Sequence, residues 1–522
     1  MLWSTIRRWN KEIMAKSQIK SGAVFSYLSI FTNIIVGLLI APVMLKFLGD
    51  TECSLYNLIG ALVGYISVLD FGISNAIIRY VAKYRLENKE QEQRRFLGMA
   101  FLLYTFFAIL VIGVGLAISP FLPNALANSA YTEADIQKAL LMFMILIVNL
   151  AFSLLSNAFP AIMNGYGRFS FQKIVTWLRT ILRIILLILL LAMGYDSVAI
   201  VILDTVLNVV TAMIFAAYVF IGLKVKVSFH GMNFAMMREI THYSFYIFLD
   251  MLINQIYWKL GQLVLGVVSA PPIEINAFAY GMTIPNYYIM ISTALATMFL
   301  PTITKIVTEQ EAGKKLTDLM IRVGRIQLLI LGLVLVGFLV IGQDFISVWL
   351  GGRYMAAYYV ASSVLLATTI PCFQNIGIVI LQVKNKMRFR VLSYLGVCVG
   401  NIALSFILSP CFGAIGAAFG TVLSLIIGNI VIINFYYHKK VGLDMPRAYR
   451  ETLRGILPAV LAAFAASWAV NAFIPLSGWP GLIVKGLVVC VLYCASVWLI
   501  GMNAYEKNLL ISPVKRVLKK SR

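Results

Sequence analysis

Residues 96–119 read FLGMAFLLYTFFAILVIGVGLAIS, a run of twenty-four residues that contains no charged side chain. The run follows directly on Arg94 and Arg95. A helix needs about 20 predominantly apolar residues to cross the hydrocarbon core of a bilayer. The stretch is therefore predicted to be a transmembrane helix with a basic cytoplasmic end.

The same pattern recurs along the whole chain. Of the 522 residues, 61% are hydrophobic and 12% are charged, whereas a soluble domain has roughly 25% charged residues. The sequence thus predicts an all-α integral membrane protein with about fourteen transmembrane helices. The predicted spans are 21–45, 52–78, 96–119, 136–160, 172–193, 197–222, 241–268, 275–300, 323–343, 356–382, 391–409, 414–437, 455–474 and 479–501.

Positive charge alternates between the connections. Of the 43 Lys and Arg residues, 36 lie in eight stretches: 7–20, 79–95, 168–173, 224–238, 305–325, 384–390, 439–454 and 507–522. Cytoplasmic loops carry an excess of Lys and Arg, so both termini are predicted to be cytoplasmic. The net charge of +22 is then explained by topology and by anionic inner-leaflet lipids as partners, rather than by nucleic acid.

The chain repeats itself at an offset of about 219 residues. Ser26-Tyr27 matches Ser244-Phe245, Arg168-Phe169 matches Arg388-Phe389, and Gly194 matches Gly413. An offset of six spans gives both copies the same orientation, so we expect two parallel six-helix lobes with alternating access. The predicted parts are an interfacial amphipathic segment (1–20), an N-lobe (21–223), a cytoplasmic linker (224–238), a C-lobe (239–438), a C-terminal helix hairpin (439–501) and a basic tail (502–522).

Charged side chains within the spans are the candidate functional residues, because charge at bilayer depth is costly and usually faces a cavity or a partner. Arg183 and Lys259 lie too deep for easy snorkelling and are expected to face a hydrated cavity. Arg179 shares a helix face with Arg183. For Arg179 and Asp204, snorkelling or a structural ion pair is the alternative. The acids Asp70, Asp204 and Asp250 could balance these cations, or one of them could bind a coupling ion.

Span seven is also rich in uncharged polar residues. Asn254, Gln255 and Gln262, together with its charged residues, cover about half of the helix circumference, and such a helix cannot face lipid on that side. Its counterpart by repeat, span one, contributes Asn33, for which ordinary packing is an equal alternative. Arg and Lys in a cleft of low polarity bind phosphate.

Six cysteines without a CxxC pair and three dispersed histidines predict no metal site, disulfide framework or cofactor.

Spans one to twelve resemble a known family in their arrangement, and several short motifs carry the resemblance. Residues 69–84 read LDFGISNAIIRYVAKY, preceded by Pro42, by KFLG at 46–49 and by Leu55-Tyr56, and residues 164–168 read NGYGR. This order is similar to that of bacterial polysaccharide-export flippases of the Wzx type, in the multidrug/oligosaccharidyl-lipid/polysaccharide exporter (MOP) superfamily. The specific motifs lie mostly within the first 170 residues.

The resemblance implies a non-enzymatic transporter of the bacterial inner membrane, with polysaccharide polymerase machinery as a partner. Its substrate would be an undecaprenyl-diphosphate-linked oligosaccharide, as in O-antigen or capsule assembly. Arg183, Lys259 and Arg179 would then bind the diphosphate, and Asn254, Gln255, Gln262 and Asn33 would face the sugar. One alternative is an ion-coupled multidrug antiporter that uses Asp70. A membrane-embedded polymerase or ligase fits less well, because the outer loops are short and lack histidine.

Overall fold

The structure is a computed structural model that describes residues 2–66, 73–127, 131–230, 249, 252–255, 257–307, 309, 311–384, 386–509 and 511. Of residues 2–27, 29, 30, 75 and 301 it describes the backbone alone. Asp70 and Asp250 lie outside the described residues, as do most of the predicted linker and tail.

The described residues form helices and no strands. The helices of the first half are α1 (Leu2–Ile66), α2 (Ile73–Leu86), α3 (Glu90–Ile118), α4 (Phe121–Leu126), α5 (Glu133–Ser156), α6 (Ala158–Gly165), α7 (Phe169–Ala192), α8 (Ser197–Ala217) and α9 (257–267). Those that follow are α10 (Pro272–Gly281), α11 (Thr283–Thr297), α12 (Leu300–Val307), α13 (Ala312–Trp349), α14 (Met355–Phe373), α15 (Ile376–Val383), α16 (Met387–Leu425), α17 (Ile433–Tyr436), α18 (Met445–Leu453), α19 (Ile456–Ala472) and α20 (Gly478–Ser496).

In the described part of the chain, nine helices are long and apolar enough to cross a membrane, or ten if the bent pair α18 and α19 counts as one. The number is below fourteen partly because α1 and the helical stretch Met387–Val441 each cover one predicted span and all or part of the next. Span seven lies partly outside the described residues, and span eight is divided between α10 and α11. The described residues of the fourteen predicted spans lie mainly in helices.

Two glycines replace predicted loops by sharp kinks. Gly49 in α1 has φ 76° and ψ −178°, and Gly413 in α16 has φ 55° and ψ −133°. A residue with a Cβ atom is strongly disfavoured at such backbone angles, whereas glycine adopts them readily. Each kink therefore turns the chain between two spans without a separate loop. Gly194, the repeat counterpart of Gly413, also has a positive φ, of 83°.

The chain packs into two compact units, Met1–Asn276 and Ala277–Arg522. The boundary between them lies within α10, and α9 belongs to the first unit. The lobe limit expected from the basic linker lies earlier, at 224–238. The division into two six-helix lobes by sequence repeat therefore remains a prediction.

The outer surface of the helices is apolar, as a lipid environment requires. On α3, Phe106 is 61% exposed and Ile109 is 64% exposed, and Leu102 and Leu116 are also exposed on the same helix. Polar side chains turn inward instead: Asn208 on α8 donates to Asn149 Oδ1 on α5 at 2.7 Å. This inverted pattern is typical of a membrane protein.

The C-terminal helices α19 and α20 pack against α13 within the second unit. Val336 on α13 contacts an apolar cluster that includes Ala459, Val489 and Tyr493, and Tyr493 donates to the carbonyl oxygen of Leu329 at 2.8 Å. An ion pair flanks this cluster on each side. Arg325 pairs with Glu506, and Asp344 pairs with Lys485 at 2.5 Å. The two anchor positions on α13 are nineteen residues apart, about 28 Å at helical rise, which is close to the thickness of the hydrocarbon core.

Candidate functional site

Arg183 lies on the packed face of α7. Leu187 and Leu191, one and two turns further along this face, are fully buried, since residues four apart share a helix face. Leu178 and Leu182 lie on another face and are exposed, at 53% and 46%. Arg183 is therefore directed into the first unit rather than towards lipid.

Arg183 forms a two-bonded ion pair with Asp204 on α8. Its Nε donates to Oδ1 at 2.5 Å, and its Nη2 donates to Oδ2 at 2.8 Å. Nη2 also lies 3.4 Å from the hydroxyl of Tyr56, in the second arm of α1, which is the part after the kink at Gly49. The two charged side chains retain 27% and 21% exposure. Planar, two-bonded pairing of this kind is the strongest contact between a guanidinium and a carboxylate.

Arg179 lies one turn before Arg183 on the same face and is partly buried. It makes no hydrogen bond or ion pair with any residue that the structure describes, and Asp204 is the anion that acts on it electrostatically. Two cations and one carboxylate therefore share this part of the first unit. Their formal charges sum to +1, so the group attracts an anion.

A hydrogen bond connects α7 to the first arm of α1, which is the part before the kink at Gly49. The indole Nε1 of Trp177 donates to Oγ1 of Thr32 at 3.0 Å. Asn33, the next residue on α1, is exposed. The predicted sugar-facing residue Asn33 thus lies beside the helix that carries the two arginines, at the level of Trp177.

Helix α9 and the residues that precede it approach the second arm of α1 closely. A Cβ atom on Gly64 would lie 2.5 Å from Nε2 of Gln255, and one on Gly266 would lie 2.7 Å from Leu58. Real Cβ atoms do not approach other atoms so closely, and glycine permits the contact. The earlier residue of one segment contacts the later residue of the other, so the two segments are antiparallel.

Lys259 lies on α9 between these two contacts, Gln255 with Gly64 and Gly266 with Leu58. Tyr56, which contacts Arg183, lies in the same arm of α1 as Leu58 and Gly64. Within the described residues Lys259 has no hydrogen-bonding or ion-pair partner, and its side chain is partly buried.

The other predicted residues of span seven have different environments. Gln262 is 3% exposed, and Asn254 is partly buried. Tyr257 is 3% exposed and packs edge-on against Trp258, with ring centroids 5.1 Å apart. The buried ring of Tyr257 therefore belongs to the helix packing. In the described ranges, no group of three or more His, Cys, Asp or Glu side chains could hold a metal ion.

Residues 19–307 match the family model described as "Polysaccharide biosynthesis protein", which covers more than half of the chain. The chain belongs to this polysaccharide biosynthesis protein family. No curated protein matches the sequence.

Solved structures show the fold of this polysaccharide biosynthesis protein. The lipid II flippase MurJ, in an inward closed conformation, superposes with a TM-score of 0.70 at 15% identity, covering 94% of this chain and 100% of MurJ. An inward-facing multidrug resistance MATE family transporter of the MOP superfamily has a TM-score of 0.59 at 13% identity, covering 77% of this chain and 93% of that one. A MATE transporter of Vibrio cholerae has a TM-score of 0.55 at 12% identity, with 82% and 99% covered.

Family membership and fold confirm two predictions. The chain is a multi-pass, all-α membrane protein of the polysaccharide biosynthesis protein family, and its fold is the one that MurJ and the MATE transporters share. The recognition from residues 69–84 and 164–168 is also confirmed, because both motifs lie within the matched region.

Sequence patterns missed one buried ion pair in this polysaccharide biosynthesis protein. Arg325 belongs to a stretch that was assigned to cytoplasmic topology, yet it is only 7% exposed and pairs with Glu506, which is 4% exposed. The two residues are 181 positions apart, so no local spacing could have revealed them. The only sequence signal is an acidic residue, Glu506, at the start of a basic tail.

Proposed function

We propose that this polysaccharide biosynthesis protein is a flippase for an undecaprenyl-diphosphate-linked oligosaccharide. It moves the repeat unit from the inner to the outer leaflet of the bacterial inner membrane for surface polysaccharide assembly. One observation carries the proposal: the predicted spans of the first unit hold Arg179, Arg183 and Lys259, and of these only Arg183 is bonded to a described carboxylate, Asp204. Arginine and lysine are the side chains that bind phosphate groups.

The position of these cations also supports the proposal. Arg183 faces the protein interior, and both Arg179 and Lys259 make no bond with a described side chain. A cation that is kept at bilayer depth without a partner is expensive, so such residues usually mark a substrate path. An anionic headgroup offsets that cost during transport. MurJ, the flippase with the same fold, is named for a lipid substrate, and its match extends over almost the whole chain.

Multidrug antiport is the competing function, because MATE transporters share the fold. A cationic drug would be repelled by the excess positive charge around Arg183, and the carboxylate Asp204 is already bonded to that arginine. Asp70, the carboxylate that an antiporter would use, lies outside the described residues. The charge of the described site therefore favours an anionic substrate. We further propose that both termini are cytoplasmic and that polymerase machinery receives the product.

Deletion of the gene and analysis of the lipid intermediates test the function. We expect lipid-linked repeat units to accumulate on the cytoplasmic leaflet. Complementation with Lys259→Gln should leave export impaired at normal protein levels. Lys485→Gln is the matched control, since it also removes a lysine within a span, but one that is paired with Asp344. Normal lipid intermediates together with lost drug resistance would instead establish the antiporter.

A further inference from the structure

The guanidinium of Arg183 has an unused edge. Arginine carries five N–H donors, one on Nε and two on each Nη. Asp204 accepts from Nε and Nη2, and Tyr56 lies near Nη2. Neither N–H of Nη1 has an acceptor among the residues that the structure describes. The Arg183 side chain as a whole is 27% exposed, so part of it is accessible.

Arg325 shows what a purely structural arginine looks like in the same protein. Its Nε and Nη2 donate to Glu506, its Nη1 donates to the carbonyl oxygens of Glu451 and Arg454, and Nη2 also donates to that of Gly501. All five donors are used, in a site that is more than nine-tenths buried. Arg183 keeps two donors without a described acceptor and about a quarter of its surface exposed.

The direction of the unused edge is set by the carboxylate. Asp204 binds the Nε side of the planar fork with two bonds, so the guanidinium cannot rotate without breaking both. The Nη1 edge therefore keeps one orientation. Asp204 also offsets one positive charge, and Arg179, one turn away on the same face, restores the net charge of +1 that an anion requires.

We propose that Asp204 is a positioning residue, which holds Arg183 so that its Nη1 edge receives one phosphate group of the lipid-linked substrate. The inference rests on the proposed flippase function and deepens it. Asp204 stays bonded to Arg183 while phosphate binds. It is neither a competitor that the phosphate displaces nor the carboxylate that binds a coupling ion. Arg179 supplies the additional charge, and Tyr56 closes the Nη2 side.

Binding measurements on the purified full-length protein distinguish these roles. The probes are undecaprenyl diphosphate and undecaprenol, which share the lipid chain and differ in the phosphates. Because hydrogen bonds to charged groups contribute more than neutral ones, we expect Arg183→Gln to weaken diphosphate binding about tenfold. Asp204→Asn should weaken it by about five- to tenfold, since the fork loses its orientation. Undecaprenol binding should not change in either variant.

A double variant and a conservative variant complete the test. Adding Asp204→Asn to Arg183→Gln should have no further effect, because the two residues act through one contact. Asp204→Glu keeps the carboxylate and should bind within about threefold of wild type. Asp344→Asn, which breaks a different carboxylate–lysine pair, is the control and should leave binding unchanged. Thermal unfolding of each variant verifies that it is folded.

Each contrary result has a distinct meaning. If Asp204→Asn binds undecaprenyl diphosphate as tightly as wild type, or more tightly, the positioning role is wrong. Equal losses for undecaprenol would reduce Asp204 to a structural residue and overturn the proposal as well. Wild-type protein that does not distinguish the two probes would refute the flippase function itself, together with this inference.

Discussion

The ion pair between Arg325 and Glu506 should be among the most stabilising polar contacts of the second unit. Removing one partner of a buried pair typically destabilises a protein by about 3–5 kcal/mol. In Glu506→Gln, three backbone carbonyl oxygens still accept from Arg325 and partly compensate its charge. We therefore expect a loss near the lower end, about 3 kcal/mol of unfolding free energy.

The reciprocal change should be more harmful. Arg325→Met leaves Glu506 charged and buried, and it also removes the donor from the carbonyl groups of Glu451, Arg454 and Gly501. A buried acceptor without a partner costs about 1–3 kcal/mol. Arg325→Met is thus predicted to exceed Glu506→Gln by roughly 2 kcal/mol or more.

Equilibrium unfolding in mixed detergent micelles, titrated with sodium dodecyl sulfate, measures these differences. Asp344→Asn provides the matched control, because the Asp344 side chain is 51% exposed and its partner Lys485 is 14% exposed, whereas both partners of the Arg325–Glu506 pair are buried. Removal of the half-exposed carboxylate should cost only about 1 kcal/mol. The reasoning fails if Glu506→Gln is as stable as wild type, or if Asp344→Asn is as harmful as Glu506→Gln. Either result would mean that the five-bonded arginine does not anchor the C-terminal helices to α13.

Three further predictions concern the kink at Gly413 and two polar residues of the first unit, Tyr131 and Glu52. Gly413→Ala should lower the free energy of unfolding by about 1–3 kcal/mol, because Gly413 has a positive φ. Gly396→Ala in the same helix is the control and should not lower it, since the space around Gly396 is open. Equal losses of stability in the two variants would contradict a special role of the Gly413 kink. Burial raises the pKa of Tyr131 to about 12, so wild type should lose roughly 1–2 kcal/mol more stability between pH 10 and 12 than Tyr131→Phe; parallel pH profiles would contradict this. Glu52→Gln breaks the ion pair with Lys138 and should lower the free energy of unfolding by about 1 kcal/mol in dilute buffer and by less in 1 M salt. A loss of stability that does not depend on salt would exclude a charge effect.

The membrane fold could be predicted because bilayer physics acts on short windows of sequence. An uncharged run such as 96–119 is stable in a bilayer only as a spanning helix. The orientation that the basic connections indicate stays a prediction. Long-range pairs could not be predicted in the same way. Arg183 and Asp204 were both recognised as charges at depth, but their two-bonded contact depends on how α7 packs against α8. Tyr56 belongs to the Leu55-Tyr56 pair of the family resemblance, and nothing in its sequence context indicates the contact with Arg183.

The backbone conformation at the kinks could be predicted from the sequence only in part. Gly413 was identified through the repeat with Gly194, and both have a positive φ. The sequence predicts two spans on either side of Gly49, and the structure makes the turn between them at this single glycine, which has a φ of 76°. A single glycine is enough to redirect the chain, and composition alone does not distinguish such a kink from a short loop.

Transport by the purified protein in liposomes tests the central claim most directly. The liposomes contain a fluorescent undecaprenyl-diphosphate-linked oligosaccharide, and an impermeant quencher or glycosidase reports how much of it is in the outer leaflet. We predict that wild type and Lys485→Gln equilibrate the lipid between leaflets, and that Arg183→Gln combined with Lys259→Gln does not. Equal rates in empty and protein-containing liposomes, or full activity of the double variant, would contradict the account.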